Sequence, residues 1–418
     1  MVRQRAGVLI KDSVVSLLEE TRHSWSTTQH CFSTASTSTT SSSSSVWKHV
    51  RSRMRDYKQL SKARLSGLVV ATAAAGYVAA STESVDWRGF GWTCLGTMLA
   101  SSSANALNQV YEVVNDSRMS RTAIRPLPMG RMSRGHALAF ALITGVSGVY
   151  ILNEKVNTTA AVLGGGNIAL YAGVYTPLKQ ISIVNTWIGA VVGAIPPLMG
   201  WAGAHGELDS GAFLLAAGLY FWQMPHFMSL AWLCRKDYAA GGYKMLSLVD
   251  PTGKRTAACA LRNCMYLLPL GALSTWLGIT SPYFAYESAF ISAGMLLTAA
   301  NFYAKPSNTN ARILFRASLL HLPIFMISFL LHRIPNTGED RMTLLMEHAR
   351  LLGMFQGDDG VERHAIQHPS LPPALVPGVS DIRRHADFIQ PPLPFLPVPT
   401  SAYASTQAPH GQEEASDS

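Results

Sequence analysis

The chain has 418 residues, of which 48% are hydrophobic and only 14% charged, and its formal net charge is +9. That composition excludes an ordinary soluble domain. The basic residues fall in loops between apolar runs rather than in a soluble basic unit, which argues against nucleic acid as a partner. The five cysteines (Cys31, Cys94, Cys234, Cys259, Cys264) are odd in number and lack a CxxC pair, so they suggest neither a disulfide framework nor a zinc site.

Residues 1–45 read as a targeting segment. Arg3, Arg5, Lys11 and Arg22 are interspersed with Val8, Leu9, Ile10, Val14, Val15, Leu17 and Leu18, and a Ser/Thr run follows from Ser33 to Ser45. This is the composition of a mitochondrial presequence, although Asp12, Glu19 and Glu20 are unusual in one. Residues 46–334 begin with a basic belt, Lys48 to Arg64, and continue as about nine apolar runs of membrane length. They lie near 63–80, 91–114, 136–152, 159–175, 183–203, 211–233, 260–280, 284–303 and 313–332. The expected fold is all-α, a polytopic membrane protein of about nine transmembrane helices. Gly and Ala are frequent within the runs, as where membrane helices approach closely, and Pro196 and Pro197 predict a kink in the fifth. Residues 335–418 turn polar and proline-rich, with PSLPPALVPG and QPPLPFLPVPT, and read as a disordered tail.

The loops sort by charge. Beyond the belt before the first run, the 2–3 loop carries Arg118, Arg121, Arg125, Arg131 and Arg134, the 4–5 loop Lys179, the 6–7 loop Arg235, Lys236, Lys244, Lys254 and Arg255, and the 8–9 loop Lys305 and Arg312. The alternate loops hold Arg88 and Lys155 and otherwise lean acidic, with Glu83, Asp86, Glu154, Glu207 and Asp209. This bias places the amino terminus and the basic loops on the retained face, the matrix side of an inner mitochondrial membrane.

The second run ends in Asn108, Glu112 and Asp116. Four-residue steps put the three oxygen-bearing side chains on one helix face, where they are costly unless a cation neutralises them. Such ligands suit Mg²⁺ completed by phosphate oxygens, and Arg118, Arg121 and Arg125 follow as phosphate donors. A polar helix cap is the plainer reading of this stretch alone. Two further clusters fall on the same face: Tyr175 to Lys179 at the end of the fourth run, and Trp222 to Phe227 followed by Arg235 to Lys244. Asp237 in the latter could share a cation pair with Asp116. His226 lies inside an apolar run, where an ionisable group is a functional candidate, although a hydrogen bond between helices would also explain it.

Asn108-x-x-x-Glu112-x-x-x-Asp116, with Ser120-Arg121-Thr122 and Arg125-Pro126-Leu127 after it, resembles the first signature of the UbiA-type intramembrane prenyltransferases. The blocks at 175–201, 221–227 (FWQMPHF), 235–246 (RKDYAAGGYKML) and 321–323 (HLP) are most similar to the protohaem IX farnesyltransferases, or haem O synthases, of that family. Glu112 stands where most of the superfamily has Asp, and the second Asp-rich motif is reduced to Asp237. The resemblance implies transfer of a farnesyl group from farnesyl diphosphate to a vinyl group of haem b, forming haem O for haem A synthesis and cytochrome c oxidase assembly. It implies Mg²⁺ held by Asn108, Glu112, Asp116 and Asp237, and diphosphate held by Arg121, Lys179 and Lys244. His226, His321 and Tyr175 become candidates for the haem side. Whether the chain forms a homo-oligomer is left open.

Two other readings stand beside it. A prenyltransferase for an aromatic quinone precursor would not need the histidines of PHF and HLP. A transporter or non-catalytic assembly factor is disfavoured because the acids gather at one membrane face rather than at the midplane.

Overall fold

The computed structural model describes residues 41–336; the expected tail and nearly all of the expected presequence lie outside the described residues. The first helix, α1 (Ser41–Leu60), runs across the expected boundary at residue 45. Helices follow at each of the nine expected positions. They are α2 (Ala63–Ala80), α3 (Trp87–Tyr111) with a five-residue extension α4 (Val113–Ser117), α5 (Arg134–Lys155) and α6 (Thr158–Ala169). α6 passes through a π-helical turn, Leu170–Tyr175, into α7 (Thr176–Ile181). Then come α8 (Asn185–His205), α9 (Ser210–Leu233), the short α10 (Arg235–Ala240), and α11 (Lys254–Leu267), continued after Pro269 by α12 (Leu270–Trp276). α13 (Pro282–Ala304) and α14 (Asn308–Leu331) complete the bundle. Among the described residues, the one isolated β-bridge pairs Thr280 with Arg333.

Four of these helices, α2, α5, α8 and α14, are by themselves long and apolar enough to cross a membrane. α3 has the length but buries Ser102, Ser103, Asn105, Asn108 and Gln109, which lowers its hydropathy and brings polar chemistry into the bundle. Pro196 and Pro197 both stand inside α8, which runs through them as one helix.

Successive helices pack on one another and α14 returns to α2. The α2–α8 crossing is set by glycine. A Cβ on Gly76 would lie 2.2 Å from the Pro197 carbonyl oxygen, and one on Gly200 would lie 1.8 Å from that of Ala73. Only bare backbone allows this approach, the small-residue packing of membrane helices. Beside it, Trp201, Leu215, Leu219, Phe284, Phe325 and Phe329 form an apolar core joining α8, α9, α13 and α14.

Helix starts explain two of the acids in the acidic loops, Asp86 and Asp209. The Asp86 carboxylate accepts from Arg88 N and Gly89 N at 3.0 and 3.1 Å, and that of Asp209 from Gly211 N and Ala212 N at 2.9 and 3.2 Å. Both cap helix N-termini, each cap contributing about 1 kcal/mol. Asn157 caps α6 and Ser133 caps α5 in the same way.

Candidate active site

Asn108 N-terminal to the end of α3, Glu112 at the junction and Asp116 in α4 stay in helical register across the break. The Glu112 amide donates to the Asn108 carbonyl at 3.0 Å, and that of Asp116 to the Glu112 carbonyl at 2.7 Å. All three side chains are buried, and each faces a cation from a different part of the chain. Lys62 Nζ donates to Asn108 Oδ1 at 2.8 Å. Lys179 Nζ meets Glu112 Oε1 at 2.8 Å, and Arg125 meets Asp116 Oδ2 at 2.6 Å.

These groups line a cavity of about 310 Å³ together with Arg121, Tyr171, Tyr175, Tyr238 and Tyr243. Lys179 lies 4.7 Å from the centre of the Tyr175 ring, a cation–π approach that holds the ammonium toward the cavity. Burial, with the repulsion of Arg125 and Lys179, pulls the Lys62 ammonium down to about 7. Burial likewise raises the Asp116 carboxyl, and the facing Arg125 only partly opposes it. The Tyr243 phenol is pushed up by burial and then by Glu112 and Asp116, so it is a donor beside those carboxylates.

Three loops are laced together beneath this cavity. Asn115 donates to the Gly241 carbonyl at 2.7 Å and accepts from Gln180 at 3.1 Å. The Lys244 amide donates to the Lys179 carbonyl at 2.6 Å, and Asn185 donates to the Lys244 carbonyl at 2.6 Å. Lys244 therefore works through its backbone, and its side chain is exposed rather than in the cavity wall. Asp237 sits at the start of α10, where its carboxylate accepts from Ser120 Oγ at 3.4 Å, and it too is not among the lining residues. Of the expected diphosphate and metal residues, the structure brings together Asn108, Glu112, Asp116, Arg121 and Lys179.

A second cavity, about 280 Å³ and mainly apolar, opens beside the first. It runs between α2, α3, α6, α8 and α9, and Leu65, Tyr171, Tyr175 and Phe227 line both cavities. The π-helical turn delivers two of these four: it sets Tyr171 and Tyr175 side by side, ring centres 5.3 Å apart. Such turns interrupt helices mostly at functional positions.

His226 and His321 line neither cavity. His226 is stacked between Trp222 and Phe315, with Nδ1 2.9 Å from Ser318 Oγ. His321 is buried, stacked on Phe325, with Nε2 3.1 Å from Ser292 Oγ. Both histidines serve contacts between helices.

Lys62 and Tyr171 are cavity residues outside the sequence motifs, and Tyr243 lies within the 235–246 block without standing out as a site residue. Lys62 reads in the sequence as one more member of the basic belt, and only its position immediately before the first apolar run hinted otherwise.

Among the described residues, no three His, Cys, Asp or Glu side chains come close enough to hold a metal. Two stacked carboxylates and one amide are present, and Asp116 Oδ1 is buried with no hydrogen-bond partner. This is a partial oxygen set, which suits Mg²⁺, an ion that draws its remaining ligands from water and substrate phosphate.

A helical bundle with a polar, charge-lined cavity leading into an apolar one has the form of an intramembrane prenyltransferase. The UbiA prenyltransferase family model matches residues 69–327, and the chain belongs to that family. It is 48% identical over 347 residues to the mitochondrial protoheme IX farnesyltransferase of Arabidopsis thaliana, covering 83% of this chain and 77% of that one. The human mitochondrial protoheme IX farnesyltransferase is 45% identical over 298 residues, covering 70% of this chain and 67% of that one. Among solved structures, a digeranylgeranylglyceryl phosphate synthase superposes with a TM-score of 0.59 at 15% identity, covering 67% of this chain and 98% of that one. A UbiA homolog from Archaeoglobus fulgidus bound to DMAPP and Mg²⁺ gives 0.50 at 13% identity, covering 66% and 99%. These distant likenesses show the fold.

Proposed function

We propose that the chain transfers a farnesyl group from farnesyl diphosphate to a vinyl group of protohaem IX, forming haem O. The observation that carries this reading is the shared wall of the two cavities. Diphosphate in the polar cavity would place its allylic carbon beside Leu65, Tyr171, Tyr175 and Phe227, and the chain would enter the apolar cavity beyond. Each buried CH₂ favours binding by about 0.8 kcal/mol.

Lys179, Arg121 and Lys62 bind the diphosphate, and Lys179 and Lys62 thereby release Glu112 and Asn108 for a cation, while Asp116, still paired with Arg125 through Oδ2, offers its Oδ1. Asn108, Glu112 and Asp116 would hold Mg²⁺, and bound there it would offset the charge that builds on the departing diphosphate. Asp237, at the rim, orders the loop through Ser120. The carbon–oxygen bond breaks with its electron pair leaving on diphosphate, and a carbon–carbon bond forms to the vinyl group. Water then supplies a hydroxyl to the adjacent vinyl carbon and releases a proton. Tyr171, Tyr175 and Phe227 keep bulk water from the allylic carbon before that step.

Tyr175 faces the reacting carbon, whereas His226 and His321 position α14 against α9 and α13 around the haem side. The protein is placed in the mitochondrial inner membrane with the site loops toward the matrix. Residues 1–45 act as a targeting segment, 46–334 as the enzyme, and 335–418 as a tail. Incubating reconstituted protein with haem b, farnesyl diphosphate and Mg²⁺ tests the reaction. Mass spectrometry should then find haem heavier by one farnesyl group and one hydroxyl group. Unchanged haem, with a quinone precursor prenylated instead, refutes it.

A further inference from the structure

Between α1 and α2 the chain turns at Lys62, which adopts a left-handed backbone conformation with φ 46°. A residue with a Cβ is uncommon there, and the turn stops α1 from continuing along the axis of α2. The C-terminal end of α1 is moored to the bundle. Leu60 is buried in a cluster with Ala106, Leu127 and Met132, and Tyr57 OH lies 2.6 Å from His136 Nε2. Gln59 Oε1 accepts from Arg131 at 2.8 Å, and the same arginine faces Asp56 at 3.5 Å.

Most other described side chains of α1 are exposed. Trp47, Val50 and Met54 are 73%, 41% and 56% exposed, and their three- and four-residue spacing makes one stripe. Lys48, Arg51 and Arg55 are each one position further on, and with Lys58 they form a second exposed stripe alongside the first. Asp56, the one acid of α1, is buried, so this face carries no negative charge. An apolar stripe edged by cations matches the boundary of a bilayer, where acyl chains lie beneath phosphates. The neighbouring span continues the same relation, since Leu68 of α2, which lines neither cavity, is 67% exposed.

We propose that α1 is an interfacial helix that binds the surface of a bilayer containing anionic phospholipid, on the membrane face where the polar cavity opens. Trp47, Val50 and Met54 seat among the upper acyl carbons, and Lys48, Arg51, Arg55 and Lys58 pair with headgroup phosphates. Lys62, two residues beyond α1, reaches Asn108 in the cavity, so the helix fixes the cavity's edge to the membrane surface. This holds whichever acceptor is prenylated.

Hydrogen exchange of the full chain tests it, in nanodiscs of phosphatidylcholine alone and with added phosphatidylglycerol. Amides of residues 47–58 should exchange about tenfold more slowly in the anionic bilayer, while those of α5 do not change. The difference should vanish in the triple variant Arg51→Gln, Arg55→Gln, Lys58→Gln. In Trp47→Asp with Met54→Asp, protection should fall in both bilayers. Equal exchange of the native chain in the two compositions overturns the proposal. So does protection that is undiminished in the Trp47→Asp, Met54→Asp variant, since protein rather than lipid would then cover the helix.

Discussion

Glu112 Oε1 and Lys179 Nζ stand 2.8 Å apart with side chains only 3% and 12% exposed, joining the end of α3 to α7. Neither charge is cheap to bury alone. Glu112→Gln or Lys179→Met should each destabilise the protein by about 3–5 kcal/mol, because the partner is left unpaired. The double variant should recover most of that loss and remain inactive. Denaturant unfolding in detergent measures this, and additive losses would show that the two do not act as a pair. Glu112→Asp should retain more turnover than Glu112→Gln, since charge matters more than reach at a cation ligand.

Lys62 gives the site a pH dependence whose sign can be worked out. Its ammonium titrates at about 7 in the protein alone, lowered by burial and by Arg125 and Lys179. A bound diphosphate favours the charged form and raises that value. The contribution of Lys62 to binding is therefore complete below about pH 7 and is lost as pH rises through the higher value in the complex. Calorimetry in buffers of different ionisation enthalpy should detect proton uptake on diphosphate binding just above neutrality. Lys62→Met should abolish the uptake and weaken binding roughly tenfold; uptake undiminished in the variant would assign it elsewhere.

Gly193 lines the apolar cavity against Gln223. A Cβ there would lie 1.9 Å from Gln223 Oε1, and both residues line that cavity. Gly193→Val must drive Gln223 into the space. Specific activity with farnesyl diphosphate should fall about a hundredfold, but with the shorter geranyl diphosphate by less than about tenfold. Equal losses for the two chain lengths would mean that the prenyl chain lies elsewhere.

The two histidines separate by their surroundings. His321 is enclosed, with Nε2 on Ser292 and Nδ1 buried without a partner, whereas His226 is only partly buried. His321→Ala should lower thermal stability and leave the absorption bands of added haem b unchanged. His226→Ala should shift those bands if haem enters beside Trp222 and Phe315, and identical spectra would confine His226 to packing.

Much of this site was legible in the sequence because helical periodicity carries it. Asn108, Glu112 and Asp116 recur at one turn, and the structure keeps them in one row across the break after Tyr111. Lys179 was legible as the cation ending an apolar run. The 6–7 loop was not, because outside a helix adjacent side chains diverge. Gly242, at φ 75°, turns the chain so that Tyr243 enters the cavity and Lys244 does not. Lys62 was hidden for a related reason: its left-handed turn bends a belt residue inward, and no periodicity predicts that. The acidic loops of the other face were read only as a topology signal, yet Asp86 and Asp209 are helix caps.

One prenyl diphosphate should span both cavities through the wall of Tyr171, Tyr175 and Phe227. Photolabelling with farnesyl diphosphate bearing a diazirine at the far end of its chain, followed by peptide mapping, tests it most directly. Labels should fall on the far lining of the apolar cavity, at Thr97, Gly164, Asn167, Pro196 or Met199. Labels confined to the outward-facing Phe290 and Leu297, or to His226 and Phe315, would contradict it.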